Sequence, residues 1–454
     1  MHNEKIKVDE EEKTLTPRKL FYNWFAANIG IMGIVFGSII VSYHLSFFQA
    51  TLASILGAMS FAIPGWVAAL GKKSGITTFK MSRAAYGING NKIPSVIAWI
   101  NMVGWLAVNV ITGTLLIVSL FGILGITRKL TSTAIALIIF STLVILSGLV
   151  KEKTLGKIQT FISYILGSLT LIILIIFILE THWSIVLSMH SGKWMNGFWP
   201  AVSIVSAGSG ISWSMAAADW GAYVKTKNYT KSVFWNTTMG GAVPLFILMF
   251  VGILLSSVEP SLASSSNPID IMYHILPSWI SMIYFIIAAM GLIPQCIISL
   301  RSARINLDTI GINFSKNASL IIHGFIVILI PVYVLFISEN FLSNFEIFLS
   351  FLGIFLAAWV AVFLCDNVLF RKSGYKENIL QKNTGVKLNL TGIISWITSV
   401  IIGLLFTNNA FWEGPFANDT FHNNCLGVFI SSISAVVFML LFRILKSIGL
   451  MSNN

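Results

Sequence analysis

The sequence of 454 residues is poor in charge. Only 10% of the residues are Asp, Glu, Lys or Arg, whereas 56% are hydrophobic, and the mean hydropathy is +0.84. Soluble globular domains carry about 25% charged residues, so the composition excludes that class. Cysteine is also scarce: the three cysteines have neither metal-ligand nor disulfide spacing, and we interpret them as small apolar side chains, Cys296, Cys365 and Cys425.

Residue types that carry enzymatic chemistry are few within the apolar segments. Of the seven histidines, only His323 lies well inside such a segment, and the segments contain no paired carboxylates. The sequence also has neither a metal-ligand cluster nor a glycine-rich phosphate loop, one of which a membrane enzyme usually needs. We therefore predict a protein that is not an enzyme and holds no cofactor; a polytopic membrane enzyme is kept as an alternative.

Apolar runs long enough to cross about 30 Å of hydrocarbon recur along the whole chain. We predict twelve membrane spans, at 22–44, 49–71, 94–122, 131–150, 158–180, 198–220, 234–257, 278–302, 318–338, 342–370, 390–407 and 424–446. The connections are short; the longest are 71–93, 258–277 and 371–388, and the first contains an amphipathic stretch. The predicted organisation is a disordered tail, a ten-helix core, a polar linker, two further spans and a second tail, at 1–20, 21–370, 371–389, 390–446 and 447–454.

Positive charge is concentrated on one side of the predicted topology. All 29 basic residues except Arg128, Lys129 and Lys193 fall in the termini or in the loops that follow even-numbered spans. The positive-inside rule then places both termini in the cytoplasm. The net charge of +12 is therefore a consequence of topology, and we expect the lipid bilayer, rather than nucleic acid, as the partner of this multi-pass protein of the cell membrane.

Glycine and polar residues interrupt spans 1 and 6. Span 1 contains Gly30, Gly33 and Gly37, and span 6 contains the segment VSAGSGISWSMAAAD at 205–219. Interruptions at corresponding positions of two halves are typical of inverted-repeat transporters, with five helices in each half and helices 1 and 6 broken. The alternative is that these glycines only allow close helix packing.

Several polar and aromatic residues inside the spans are candidates for a binding site. Trp105 and Asn109 are one helical turn apart in span 3, a pairing that suits a planar neutral heterocycle, and Gly104 would admit a flat ligand. Packing between helices explains Trp105, Asn109 and Trp213 equally well. In span 8, Gln295 is a candidate contact for a ligand edge; the alternative is a kink at Pro294 with Gln295 bonded to a neighbouring helix.

Asp219 is costly at bilayer depth, about 2.5–3.5 kcal/mol. It is interpreted as a helix cap, a partner of a lysine such as Lys225, or an ion-coupling group.

The same residues give the chain its resemblance to a known family, the nucleobase–cation symporters that include cytosine permease and the purine-cytosine permeases. The similarity extends from about residue 21 to residue 446. Its most specific part is the loop GKKSGITT at 71–78, continued by residues 83, 86, 87, 90 and 94. Further motifs are SYH at 42–44 with FF at 47–48, GW at 104–105, W at 213 with ADW at 218–220 and Y at 223, and IPQ at 293–295.

This resemblance implies a LeuT-like fold, all-α, with ten helices in a 5+5 inverted repeat and two additional C-terminal helices. It also implies import of a neutral nucleobase coupled to Na⁺ or H⁺. By position, Trp105 would stack on the base, Asn109 and Gln295 would contact its edges, and the span 6 segment would add further contacts through Ser209, Gly210, Ser212 and Trp213.

Two departures from the family pattern bear on substrate and ion. Gly210 stands where relatives carry a second stacking aromatic, and span 8 has Gly291, Pro294 and Gln295 where sodium-coupled members place hydroxyl residues. A hard cation prefers oxygen ligands, which here would be mainly backbone carbonyls near Gly291 and in span 1 from Asn23 to Ala27. We therefore favour proton coupling, with Asp219 as a candidate carrier.

The predicted function is secondary active import of a cytosine-like or purine-like base, or of a related small heterocycle, by alternating access. The alternative on the same scaffold is a cation-coupled amino-acid transporter. We expect a monomer as the simplest state.

Overall fold

The computed structural model describes residues 5–126, 129–149, 152–181, 183–259, 261–264, 269, 278–338, 340–372, 374–409, 411–422 and 425–449. Arg128, the predicted connection 258–277 in large part, and the ends of both predicted tails lie outside these residues. Nearly all of the described chain is helical. A two-stranded antiparallel hairpin, Asn408–Asn409 with Trp412–Glu413, and short 3-10 turns at Glu10–Glu12, Glu377–Ile379 and Asp419–Phe421 complete it.

The helices match the predicted spans in order. Spans 1 to 6 comprise Pro17–Asn28 with Met32–Ser42, Phe47–Met59 with Ala62–Ser74, Lys92–Ile123, Lys129–Ser147, Glu152–Glu180, and Trp194–Phe198 continued by Trp199–Ser206, Ala207–Ile211 and Ser212–Gly221. Spans 7 to 12 comprise Thr230–Val258, Ser278–Ile310, Lys316–Tyr333 with Val334–Ser338, Phe341–Phe370, Leu390–Leu405 and Gly427–Ser447. Short helices at Thr78–Tyr86, Trp183–Leu187 and Ser261–Ser264 lie between spans.

By length and composition, nine helices of the described chain are able to cross a membrane, and the two halves of span 1 form a tenth as a bent pair. Two shorter apolar helices, Ser163–Leu179 and Leu390–Leu405, occupy the positions of predicted spans 5 and 11. The polytopic all-α architecture is therefore confirmed, while the number of exactly twelve crossings stays a prediction.

Spans 1 and 6 deviate from regular α-helix in different ways. The two halves of span 1 meet at an angle of 60° around residues 29–31. In span 6 the interruption is a π-helical turn, Ala207–Ile211, which coincides with the two glycines. Span 6 remains one continuous crossing, because a π turn adds a residue to the helix without unwinding it.

The packing of the spans forms two groups of four. Spans 1, 2, 6 and 7 pack against one another, and spans 3, 4, 8 and 9 form the second group, in which spans 3 and 8 make the most extensive contact. Members of each group correspond in pairs five spans apart, as an inverted repeat requires. The spans differ in how far they are buried: only 28% of the most apolar window of span 9 is buried, against 100% for span 6. Span 6 is therefore central.

The expectation of a disordered N-terminal tail is wrong for residues 5–16. Ile6 is buried, and the Val8 N–H donates to the Gly75 carbonyl oxygen at 2.8 Å. Leu15 forms a bridge with Val224. Backbone hydrogen bonds to the neighbouring loops and burial of Ile6 thus order a segment whose composition alone suggests disorder. We call residues 5–16 the N-terminal strap.

The loop after span 2 is also more buried than expected. The sequence predicts an amphipathic stretch within the connection 71–93. The helix Thr78–Tyr86 lies there, but all of its residues except Lys80 are buried. The linker 371–389 covers it: the Ile88 and Asn89 N–H groups donate to the carbonyl oxygens of Val386 and Lys387. Arg83 donates to the Leu380 carbonyl oxygen at 3.0 Å.

Candidate functional site

The indole rings of Trp105 in span 3 and Trp213 in span 6 lie nearly parallel at the centre of the bundle. Their centroids are 6.2 Å apart and their planes differ by 20°. The Trp105 indole N–H donates to the Ser212 hydroxyl at 2.7 Å, and Ser212 donates to the Asn101 amide oxygen at 2.8 Å. Because each of these four residues is buried, the hydrogen bonds fix the orientation of the Trp105 ring.

Three further aromatic residues enclose this pair. The Trp24 ring of span 1 meets Trp213 edge-on at 5.6 Å, and Phe345 and Phe348 of span 10 meet Trp105 edge-on at 5.8 and 6.0 Å. The edges of these rings are electropositive and face the electron-rich faces of the indoles, a favourable arrangement. We call these five residues the aromatic cluster.

The space beside Gly104 is not left for a ligand in this structure. A Cβ at Gly104 would lie 2.0 Å from Cε2 of Phe348. The expectation that Gly104 lets a flat ligand approach the backbone is therefore wrong for this conformation, because the Phe348 ring fills the space.

Asn109 lies one turn beyond Trp105 on the same span, and its amide has no hydrogen-bond partner. The side chain is fully buried, and neither its Oδ1 nor its Nδ2 makes a hydrogen bond. The Trp24 indole N–H of the aromatic cluster is likewise buried without a partner. Since buried polar groups are normally paired, three unpaired atoms on spans 1 and 3 identify polar positions that a ligand or water can satisfy.

Gln295 of span 8 lies against the bend of span 1. A Cβ at Gly30 would be 2.9 Å from Nε2 of Gln295, so the glycine makes room for this amide. Gln295 is 5% exposed. Gly291, one turn earlier, faces span 5. A Cβ at Gly291 would lie 2.3 Å from Cδ1 of Leu166 in that span.

Ser209 and Gly210 are brought to span 2 instead of the aromatic cluster. The Gly210 N–H donates to the Ser60 hydroxyl at 3.2 Å, and the Ser209 and Ser60 hydroxyls are 3.1 Å apart. A Cβ at Gly210 would lie 2.2 Å from the Ser60 carbonyl oxygen. Of the predicted span 6 residues, Ser212 and Trp213 contact Trp105.

The residues considered for ion coupling are spread over two regions. Asn23 and Ala27 are buried in the helix Pro17–Asn28, which packs on spans 5, 7 and 8. Gly291 faces span 5 from span 8, so these three residues belong to the junction of spans 1, 5 and 8. Asp219 is six residues, or about 9 Å of helix, beyond Trp213.

Asp219 joins three elements. Its Oδ1 accepts the Thr78 backbone N–H at 3.0 Å, and its Oδ2 accepts the Ser302 hydroxyl of span 8 at 3.4 Å. Thr78 is the first residue of the helix Thr78–Tyr86, so the carboxylate caps that helix. Lys225 is not among its hydrogen-bond partners. Arg301, next to Ser302, lies over the Trp220 ring at 4.5 Å.

The sequence did not point to several residues of the site. Trp24, Phe345, Phe348 and Asn101 contribute to it, but hydropathy gives no reason to separate them from other aromatic and polar residues of spans 1, 3 and 10. The one available signal was the position of Asn101, one turn before Trp105 and on the same helix face.

Comparison with known proteins gives one consistent result. The model of a family described as permeases for cytosine/purines, uracil, thiamine and allantoin matches residues 7–430. A putative purine-cytosine permease of Bacillus subtilis (strain 168), YxlA, is 24% identical over 424 residues, covering 90% of this chain and 89% of the relative.

Solved structures of transporters have the same fold. Mhp1, a nucleobase-cation-symport-1 family transporter in a closed conformation with bromovinylhydantoin bound, aligns with a TM-score of 0.72 at 15% identity, covering 100% of this chain and 98% of Mhp1. Its inward-facing conformation gives 0.68 at 16% identity and covers 97% of that chain and 100% of this one. A Na⁺-coupled sialic acid symporter gives 0.63 at 16% identity, covering 96% of this chain and 91% of the symporter. The predicted LeuT-like fold is thereby confirmed.

Proposed function

The chain belongs to the family of permeases for cytosine/purines, uracil, thiamine and allantoin, and from that premise we propose that it imports a neutral nucleobase or a closely related planar heterocycle. As a permease it is a transporter and not an enzyme. The substrate, the driving ion and the roles of individual residues are the content of the proposal.

The observation that carries the proposal is the near-parallel pair of Trp105 and Trp213. A flat ring held between two indoles needs about 7 Å between them, since carbon atoms in contact are about 3.5 Å apart. The centroid separation of 6.2 Å is the upper limit on the spacing of the two planes, so the indoles must move apart by at least about 1 Å. A small outward movement of span 6 relative to span 3 would therefore admit one heterocycle. Trp213 then supplies the second stacking face, in place of the aromatic that relatives carry at the position of Gly210.

Polar side chains of spans 3, 6 and 8 suit the edges of a neutral heterocycle. An amide both donates and accepts, as the ring nitrogens and carbonyls of nucleobases do. Asn109 offers both amide atoms without competition from protein partners, and Gln295 lies at the bend of span 1. The aromatic cluster, Asn101, Asn109, Ser212 and Gln295 carry no charge. This favours a neutral base over the zwitterion of the alternative amino-acid transporter, which needs a counter-charge.

We propose that inward movement of H⁺ or Na⁺ drives import, with each charge worth about 2.3 kcal/mol per 100 mV of membrane potential. The span 8 segment 286–292, around Gly291, carries no hydroxyl group, so a Na⁺ ion at the junction of spans 1, 5 and 8 would depend on carbonyl oxygens near Asn23, Ala27 and Gly291. This favours H⁺. Uptake measured at fixed pH over a range of Na⁺ concentrations decides between the ions, because a steep Na⁺ dependence contradicts H⁺ coupling.

The charge distribution supports a cell-membrane location with both termini in the cytoplasm. In that orientation the N-terminal strap, the helix Thr78–Tyr86 and the linker 371–389 lie on the cytoplasmic face, and the aromatic cluster lies inside the bundle. A monomer is sufficient for this arrangement, since the described part of one chain supplies every group of the proposed site.

The proposal is tested by uptake of radiolabelled cytosine, purines, uracil, hydantoin, allantoin and amino acids into proteoliposomes. The best substrate is then measured with Trp105→Ala and Asn109→Leu. Stacking on an aromatic side chain is worth about 1–3 kcal/mol, so we expect Trp105→Ala to weaken affinity about 5-fold to 150-fold. Asn109→Leu should weaken it about tenfold while leaving the melting temperature equal or higher, because it removes an unpaired buried amide.

Trp66→Ala is the matched control, since Trp66 is 42% exposed on span 2 and lies outside the aromatic cluster. Its uptake should equal that of the wild type. Preferential transport of an amino acid, or wild-type affinity in both Trp105→Ala and Asn109→Leu, would overturn the proposal.

A further inference from the structure

A cavity that no member of the aromatic cluster lines lies where spans 10, 11 and 12 have helix ends beside the helix Thr78–Tyr86. It has a volume of about 450 Å³, within the range of small-molecule and headgroup sites. Its polar lining consists of Asp366, Arg371, Asn389, Thr391, Lys446 and Ser447. Nothing in the transport proposal uses these residues.

The charged groups of this cavity have unmet hydrogen-bonding capacity. Arg371 Nε and Asp366 Oδ2 are 3.5 Å apart, yet both are buried and neither makes a hydrogen bond. Asp366 is only 3% exposed. The Lys446 ammonium lies over the Phe370 ring at 5.4 Å, and Phe370 also lines the cavity. Arg371 also donates from Nη2 to the Ala84 carbonyl oxygen at 3.3 Å, which holds this ion pair in place. Arg371 Nε and Asp366 Oδ2 are then the two buried atoms left for an occupant that both accepts and donates.

The first turn of span 11 adds a positive helix end. Asn389, Thr391 and Gly392 line the cavity at the start of the 16-residue helix Leu390–Leu405. The cap residue Asn389 makes no side-chain capping bond, because its Nδ2 donates to the Ala84 carbonyl oxygen at 3.2 Å. Uncapped N–H groups and the helix dipole favour an anion at this position.

We propose that this cavity binds the phosphate group of an anionic headgroup that also carries a hydroxyl group. Arg371, Lys446 and the first turn of span 11 face the phosphate, and the unpaired oxygen of Asp366 accepts a hydrogen bond from the hydroxyl. Arg371 and Asp366 offset each other as an ion pair, which leaves the Lys446 ammonium and the N-terminal end of span 11 to favour an anion.

A phospholipid is the source of the phosphate that the surroundings favour. The three helix ends lie at the depth where headgroups meet a membrane span. The helices on either side carry exposed apolar rows on which acyl chains can lie, namely Ile394, Ile397 and Ile401 of span 11 and Val437, Leu440, Leu441 and Ile444 of span 12. A soluble phosphate compound shares the headgroup chemistry but makes no use of these rows.

The test measures lipid retention and thermal stability of the full chain in nanodiscs. Phosphatidylglycerol carries the phosphate and hydroxyl groups, whereas phosphatidylcholine has no net charge and no headgroup hydroxyl. The variant is Lys446→Gln, and the matched control is Arg443→Gln, which removes an exposed charge three residues earlier on the same helix and outside the cavity. A third arm adds inorganic phosphate to protein in phosphatidylcholine.

We expect native mass spectrometry to show retained phosphatidylglycerol on wild type and Arg443→Gln, and at least about fivefold less on Lys446→Gln. The melting temperatures of all three proteins in phosphatidylcholine should agree, which shows that Lys446→Gln is folded. Stabilisation by inorganic phosphate that depends on Lys446 would support the phosphate site and assign it to a soluble ligand. Equal retention of both lipids, or equal loss in both variants, would overturn the proposal.

Discussion

At the scale of single residues, buried polar groups divide into those that the fold satisfies and those that it leaves unpaired. Asp219 belongs to the first class, because its two carboxylate oxygens accept hydrogen bonds from Thr78 and Ser302. Asn109 belongs to the second. A residue type at membrane depth therefore does not by itself indicate function, since the partner decides whether the group is structural or available to a substrate.

The capping geometry of Asp219 predicts the outcome of two substitutions. Asp219→Asn keeps an oxygen that accepts the Thr78 N–H, so we expect expression and uptake within about threefold of wild type. Asp219→Ala leaves the first N–H of the helix unpaired, which costs about 1–3 kcal/mol and should lower the melting temperature and the expression level. Normal folding of Asp219→Asn with loss of proton-driven accumulation would instead assign Asp219 to ion coupling.

At the scale of helices, the π turn Ala207–Ile211 explains why the predicted span 6 residues do not share one face. A π turn inserts one residue and rotates the following helix face by about 100° relative to a regular α-helix. Ser209 and Gly210 consequently face span 2, whereas Ser212 and Trp213 face span 3.

Gly210 is expected to be needed for the contact between spans 6 and 2. A Cβ there meets the Ser60 carbonyl oxygen at 2.2 Å, so Gly210→Val forces the helices apart. Overpacking typically costs about 1–3 kcal/mol, which should appear as a lower melting temperature and weaker uptake. Gly122→Val is the control, because nothing lies within 4 Å of a Cβ at Gly122 in span 3. Equal melting temperatures of the two variants would contradict this role.

At the scale of the whole molecule, the N-terminal strap connects loops that belong to different spans. Val8 pairs with Gly75 after span 2, and Leu15 exchanges backbone hydrogen bonds with Tyr223 and Lys225 after span 6. An ion pair of 2.7 Å links Lys7 to Glu377 in the linker. These contacts close the face that the charge distribution assigns to the cytoplasm.

Removal of residues 1–15, which leaves the Thr16 cap of span 1 in place, should therefore weaken closure of this face without unfolding the spans. We expect faster hydrogen exchange in residues 71–78 and 222–226, with a similar far-ultraviolet circular dichroism spectrum. Lys7→Ala is the matched control: it removes only an exposed ion pair, worth about 0–1 kcal/mol, and should leave exchange unchanged. Unchanged exchange in the truncated protein would show that the strap does not hold the loops.

The sequence by itself determined the membrane class, the order of the spans, the asymmetry of charge and the bend of span 1. Hydropathy, loop charge and glycine content are properties of contiguous segments, so they can be read without knowledge of neighbours. It also pointed to Trp105 and Trp213, because large aromatics beside small and polar residues stand out within a span.

Only the tertiary structure decided which faces meet. It brought Trp24, Phe345 and Phe348 to the indole pair, directed Gly210 toward Ser60, and placed Asp219 at the end of the helix Thr78–Tyr86. These contacts join residues far apart in the chain, and each depends on the rotation and crossing of packed helices. Hydropathy along one segment contains no information about that rotation, which is fixed by the close packing of its neighbours.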